Sequence, residues 1–432
     1  MRNHKQFQGL ICRITRLAAR PGTLALIVML VSLGLMTAQP VHAQSYRVIH
    51  DFAGGQDGAS PFTGLTIDAG GKIYGTAFSG GTHGGGTVFS MNSTGAGGWI
   101  LSPLYSFAGG SDGAGPVTRL AIGPDGALYG TTSAGGGANC IDYNGNQGCG
   151  TVYQLRPPLR SPASAIAYWS PNVLFRFSGS DGAYPQGDLT FDQAGNIYGI
   201  TVNGGGPGWG LVYELNRSGG GWTEDVLYQA QNDGDGQYPW GGVTFDSAGN
   251  LYGVFSQNGP AGYGAIYKLA PSGGSWREST VHGFTYHGND GANPQGGLIR
   301  DSAGNLYGTT VHDPTGGGTV FELTPSGGNL SFNVLYGLTG GIDLGPYDKL
   351  VMDASGNLYG TTFGDGQYGY GSVFKLTHSG GSWTYTSLHD FTGGSDGANP
   401  MCSLVFDASG NLYGTASGGG AHNSGVVFQI AP

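Results

Sequence analysis

From residue 44 onward the chain is written in short runs that alternate apolar and polar residues, separated by Gly-rich punctuation. Alternation with period two, rich in Val, Thr, Tyr and Phe, predicts half-buried strands. Helical periodicity is absent after residue 43. The runs recur as a phrase: GNLYGTT spans Gly304–Thr310 and again Gly356–Thr362, with close copies at Gly249–Phe255 and Gly410–Ala416. Aligned on its Tyr, the phrase occurs at Tyr74, Tyr129, Tyr198, Tyr252, Tyr307, Tyr359 and Tyr413, and each Tyr is followed by Gly. Its spacings are 55, 69, 54, 55, 52 and 54 residues.

Each unit predicts four strands. A short first strand (Leu404-Val405-Phe406) leads through an Asp/Ser/Gly/Asn turn to Leu412-Tyr413-Gly414-Thr415. A Gly-rich connection precedes the third strand (Gly371–Leu376). A Pro-Ser-Gly-Gly type turn (Pro271–Gly274, Pro325–Gly328) leads to the fourth (Trp383–His389). The Gly after the Tyr is expected to let a neighbouring sheet pack closely, with the Tyr ring between sheets. Seven such units predict an all-β, seven-bladed β-propeller of four-stranded blades over residues 44–432. A parallel β-helix has much shorter coils. The two ends are out of phase: Tyr46–Phe52 resembles a fourth strand, and Val426–Ile430 is a third strand with nothing after it. The N-terminal strand is therefore expected to complete the last blade and remove the open edges.

Composition refines this picture. Gly makes up 88 of 432 residues, yet aromatics are 12% of the chain, which a disordered chain lacks. Residues 1–43 read as a secretory signal peptide: Arg2, Lys5, Arg13, Arg16 and Arg20, then the apolar Thr23–Ala38, then Val41-His42-Ala43. Without that segment, 12 basic residues face 27 acidic ones. Such a chain repels nucleic acid and anionic lipid. We expect a secreted or extracellular monomer, at the cell surface or in the periplasm, with no membrane contact once the signal is removed. Cys140 and Cys149 flank a short loop and are expected to pair as a disulfide in an oxidising compartment. Cys402 reads as a buried free thiol.

The unit DxxGNLYGTT…GGxxxxGTVFxL resembles the GloVer tandem repeat of secreted bacterial proteins with a choice of C-terminal anchors. The resemblance covers nearly all of residues 44–432. It implies a surface or extracellular protein and no established activity. The chain ends at Ala431-Pro432 without an apolar tail or sorting motif, so it reads as released.

Candidate chemistry is sparse. One Asp recurs in the connection from the fourth strand to the next first strand: Asp57, Asp112, Asp181, Asp235, Asp290, Asp343 and Asp396. It can cap its own turn or contribute to a ring of carboxylates. One oxygen-bearing side chain per loop is too few for Ca²⁺, and the turn reading prevails. A second Asp (Asp68, Asp192, Asp246, Asp301, Asp353, Asp407) ends the first strand as a turn residue. No metal site and no cofactor is indicated, and no Ser-His-Asp order or phosphate loop is present. Residues that the repeat does not demand are the better ligand candidates. Trp209, Trp240, Tyr238, Tyr184 and Tyr263 fall in connections on one face, that of the channel mouth. Aromatic planes with few charges suit sugar rings. The sequence thus points to an extracellular binding module for a glycan or protein partner. Two other classes stay open: a polysaccharide lyase or glycosidase using the non-repeated acids near that face, Asp142, Glu214, Asp313 and Asp365, and a purely structural surface repeat.

Overall fold

The computed structural model describes residues 44–431 apart from 96, 142–144, 146, 159–168, 232 and 342–343. The signal-peptide reading, Asp142 and Asp343 lie outside the described residues. Every described element is a strand, and the arrangement is β-propeller-like: antiparallel sheets packed in sequence order, with the last meeting the first.

Four sheets have four strands. One joins Ile299–Arg300, Leu306–Thr310, Thr319–Ser326 and Asn329–Gly337 in that order. Two others follow the same plan. In the fourth, Ser45–Asp51 lies antiparallel on Val426–Ala431, as the out-of-phase ends required. A register shift between Val48 and His50 marks this pairing. The third-to-fourth pairing of every other unit carries the same shift, for example between Val320 and Phe321 or Val373 and Phe374. The N-terminal strand is thus a fourth strand displaced to the front of the chain. Thr415 Oγ1 donates to Thr63 O at 2.9 Å, linking the last sheet to the first.

The remaining two sheets differ from the expected seven sets of four. In the second unit the first strand is split into Ala114–Pro116 and Ala121–Ile122, which both pair with Leu128–Ala134, making five strands. In the third and fourth units Ala183–Phe191 and Gln237–Phe245 run unbroken, and a single parallel pair, Asp188 with Gly242, fuses two sets of four into one eight-stranded sheet. The cause is local. A Cβ on Gly187 would lie 2.3 Å from Gly242 N. Only bare backbone lets these two inner strands touch.

The repeated Tyr-Gly phrase has a more specific cause than the sequence suggested. Gly308 pairs directly with Phe321, and a Cβ there would sit 2.5 Å from the Phe321 ring and 2.8 Å from Leu298. The close neighbour is therefore an aromatic of the same sheet, not a neighbouring sheet. The equivalent rings, among them Phe89, Tyr213 and Phe374, are fully buried. The Tyr does bridge sheets: Tyr198 meets Phe245 of the next unit with ring centroids 5.0 Å apart. Its hydroxyl also donates to the turn Asp six residues earlier, as in Tyr359–Asp353 (2.9 Å) and Tyr413–Asp407 (3.0 Å). In the second unit, where Gly123 replaces that Asp, Asp125 accepts from Tyr129 at 2.9 Å.

The hairpin expected at Pro271–Gly274 is tighter than four residues. Ser272 pairs with Ser275, leaving Gly273 and Gly274 as the turn, at φ +61° and +87°. Two successive positive φ values suit the twist of a hairpin and favour glycine.

The repeated loop Asp is a turn residue. Asp112 Oδ2 accepts from Ala108 N and from Tyr105 OH, both at 2.9 Å. Where the fourth strand carries His instead, the ring takes the place of the Tyr: His50–Asp57 (3.2 Å), His282–Asp290 (3.1 Å) and His389–Asp396 (3.1 Å). His282 also stacks on Phe332 of the next unit, 3.8 Å and 1° apart, and His389 on Tyr46, 3.6 Å and 6° apart.

Two predictions follow from this packing. Gly308→Ala should destabilise the fold by roughly 1–3 kcal/mol through overpacking, whereas Gly110→Ala, with open space at its Cβ, should be neutral; denaturant midpoints compare them. Burial, against the pull of their Asp partners, holds His50, His282 and His389 below the usual imidazole range. The unfolded chain then binds more protons than the fold as pH drops through about 6.5, so stability is full above that value and falls below it. The triple variant His50→Tyr/His282→Tyr/His389→Tyr keeps the hydrogen bond used by Tyr105 and should flatten this pH dependence in thermal melts.

Candidate functional site

Each unit turns into its innermost strand at a Pro: Pro61, Pro116, Pro185, Pro239, Pro294, Pro346 and Pro400. The Pro ring lies against the Gly that opens the preceding unit's third strand. A Cβ on Gly264 would be 2.5 Å from Pro294, and one on Gly425 equally close to Pro61. This contact aims the next three residues at the axis. The third of them is Gly64, Arg119, Asp188, Gly242, Gly297, Lys349 or Ser403. Three units place a charge where the others place Gly or Ser.

These charges converge. Arg119 Nη2 lies 2.8 Å from Asp188 Oδ2, and Lys349 Nζ lies 3.4 Å from the same oxygen. Asp348 accepts from Ser403 N and from Lys349 N, both at 2.7 Å. The glycines make room for these side chains. A Cβ on Gly297 would sit 2.1 Å from Lys349 Cε, and one on Gly64 would be 3.2 Å from Arg119 Cδ. Burial pushes the Asp188 carboxyl up, but Arg119 and Lys349 outweigh it and hold the group below the usual range. Asp348 has no cation at ion-pair distance among the described residues, so burial and then the nearby Asp188 charge, against the weaker pull of two backbone donors and Arg119, push it up to about 6. Opposite charges across a low-dielectric site dominate their surroundings.

Above this cluster, on the face of the Pro loops, a cavity of about 240 Å³ opens. Arg119, Asp188, Asp348, Gln186 and Gln295 supply its polar lining, and Phe62, Phe78, Trp240, Tyr347 and Met401 its apolar lining. Phe62 and Phe78 are 5.2 Å apart, and Tyr347 packs edgewise on Phe363 at 5.6 Å. Arg119 and Asp188 also line a second cavity of about 270 Å³, with Thr66, Ile67, Ile122 and Val405. Polar groups converging inside an aromatic wall are the common form of a small-ligand site.

Among the aromatics singled out from the sequence, Trp240 lines this cavity. The others have different neighbours. Trp209 packs edge-on against Tyr238 (5.7 Å, 84°), and Tyr238 N donates to Trp209 O at 2.9 Å. Tyr184 N donates to Cys149 O at 2.9 Å, and the Tyr184 hydroxyl donates to Ile141 O. Tyr263, about a third exposed, stacks on Tyr286 at 5.3 Å. Cys140 and Cys149 form the expected disulfide. Cys402 is free and buried, and burial raises its thiol to about 12.

The non-repeated acids do not assemble a catalytic pair among the described residues. Asp313 caps its own turn through Thr315 N (2.8 Å) and Gly316 N (2.7 Å). Asp365 accepts from Gly366 N at 2.6 Å. Glu214 pairs in register with Tyr198, beside the hairpin that carries Asp192, and so leaves the mouth face where the sequence placed it. No group of three or more metal-ligating side chains occurs among the described residues.

Arg119, Asp188, Asp348 and Lys349 were not among the residues expected from the sequence. For Arg119, Asp188 and Lys349 the signal was present: a charge next to the inner-strand Leu, at a position otherwise held by Gly or Ser.

No curated protein matches the chain. Among solved structures, an ulvan lyase, a polysaccharide lyase with a saccharide bound, is similar at a TM-score of 0.51 and 12% identity. The match covers 89% of this chain and 95% of that one. A protein of unknown function from Dyadobacter fermentans matches at a TM-score of 0.45 and 14% identity, over 80% of this chain and 98% of that one. The likeness to the lyase structure is one of fold alone. The signature of the Gloeobacter/Verrucomicrobia repeat matches residues 140–343 and 280–432, and the chain belongs to that repeat family.

Proposed function

We propose that the protein is an exported binding module: a seven-bladed propeller whose axial mouth receives a glycan. This reading counts the eight-stranded sheet as two blades, since its halves share one parallel residue pair. The split strand of the five-stranded sheet likewise counts as one. Export rests on the basic and apolar pattern of residues 1–43 and on the Cys140–Cys149 disulfide, which persists in oxidising compartments. The observation that carries the binding reading is the mouth cavity itself, with aromatic planes around a polar floor. Sugars are recognised by that combination, with C–H faces on the rings and hydroxyls on the polar groups. Trp240 is the central contact in this reading. Trp209, Tyr238, Tyr184 and Tyr263 are outer contacts for a longer ligand, and Tyr347 is an added rim residue. A lyase or glycosidase reading gains no support, because a glycosidase needs two carboxylates set apart with distinct roles, and the axial acids are taken up by cations and backbone donors.

A glycan array probed with the chain from residue 44 onward tests this. Binding to at least one glycan is expected. Trp240→Ala should weaken it about tenfold or more and Trp209→Ala only about two- to threefold, as truncating a central aromatic costs more than an outer one. Release of reducing ends from a polysaccharide, or unchanged binding by Trp240→Ala, would contradict the reading.

A further inference from the structure

Of the two axial cations among the described residues, Arg119 is the more exposed, and it has spare donors. A guanidinium has five N–H groups, and Asp188 is the hydrogen-bond partner of Arg119 among the described residues. About a third of the Arg119 side chain is exposed (32%), against 11% for Asp188 and 9% for Lys349. Asp188 is already shared between two cations. An oxyanion entering the cavity therefore meets free donors, while the nearest carboxylate is neutralised by its own contacts.

Resting on the glycan reading above, we propose that the ligand is an acidic sugar whose carboxylate or sulfate is received by the Arg119 guanidinium at the floor of the mouth cavity. Planar oxyanions suit this residue because the fork of N–H groups matches them two at a time. At about 240 Å³ the cavity is smaller than the roughly 300–1,000 Å³ of drug-sized pockets, so it suits one short unit. The chain has 27 acidic against 17 basic residues, which disfavours a densely charged polymer. Recognition is thus of one anionic group on an otherwise neutral sugar.

The floor also sets a pH dependence. Asp348 is faced by Asp188 and Arg119, by Lys349 through its backbone, and by the Cys402 thiol. Its carboxyl takes up a proton near pH 6. That removes a negative charge beside Arg119, and anion binding should strengthen as pH falls from 7.5 to 5.

Calorimetric titration of the chain from residue 44 onward with three matched disaccharides tests the proposal: one bearing a uronic carboxylate, one bearing a sulfate, and their neutral parent. At least one anionic probe is expected to bind about tenfold tighter than the parent, as a charge-assisted bidentate contact provides. The tighter of the two identifies the oxyanion. Arg119→Gln should erase the difference between anionic and neutral probes, and Arg119→Lys should keep part of it. In the unaltered protein the advantage should grow between pH 7.5 and 5, a readout that does not depend on the variants folding. Equal affinity for all three probes, an advantage that survives Arg119→Gln, or binding confined to neutral glycans would overturn this inference and leave the glycan reading standing. Absence of binding to any glycan would overturn both.

Discussion

The pairing of Ser45–Asp51 with Val426–Ala431 is the constraint on which the rest depends. A row of sheets packed side by side has two open edges, each a line of unpaired N–H and C=O groups. Here the first strand of the chain supplies the missing fourth strand of the last sheet, with the same register shift found in the other units. The ring therefore closes by hydrogen bonds between the two ends of the chain. Closure also gives the molecule an axis, and with it a place where residues from distant units meet.

Crowding at that axis then decides the sequence of the inner strands. Backbone approaches backbone closely enough that side chains on Gly187, Gly241 and Gly297 would collide with neighbouring main chain. The space saved holds Arg119 and Lys349, which reach across to Asp188. A buried charge of this kind stands only when paired and hydrogen-bonded. The same cluster ties the second, third and sixth units together across the ring and leaves a partly exposed cation under an aromatic rim. Structure and candidate function thus share the same few side chains.

Much of the fold was legible because the repeat states its packing problem seven times. The turn Asp, the motif Tyr and the following Gly are a single device: Asp353 accepts from Tyr359, and Gly360 makes room for the Phe374 ring, 2.7 Å from where its Cβ would be. Periodicity revealed that Gly360 is needed, but not which ring needs it. The candidate site was only partly legible. Trp240 stood out as a Trp that does not recur. Arg119 lies 69 residues from Asp188 in sequence, and Lys349 lies further still. Their meeting depends on ring geometry, which no local pattern carries. Glu214 was misplaced for a related reason: face assignment from loop order ignores that residues on one strand lie at different heights.

Native-state amide hydrogen exchange along the N-terminal strand tests the central claim, ring closure, most directly. If the ring is closed, the paired amides within Ser45–Asp51 open only with the sheet that contains Val426–Ala431 and share its protection. Exchange of those amides at free-chain rates, with Leu412–Ala416 still protected, would mean that the ends do not pair, and the axial cavity would lose the geometry on which its reading rests.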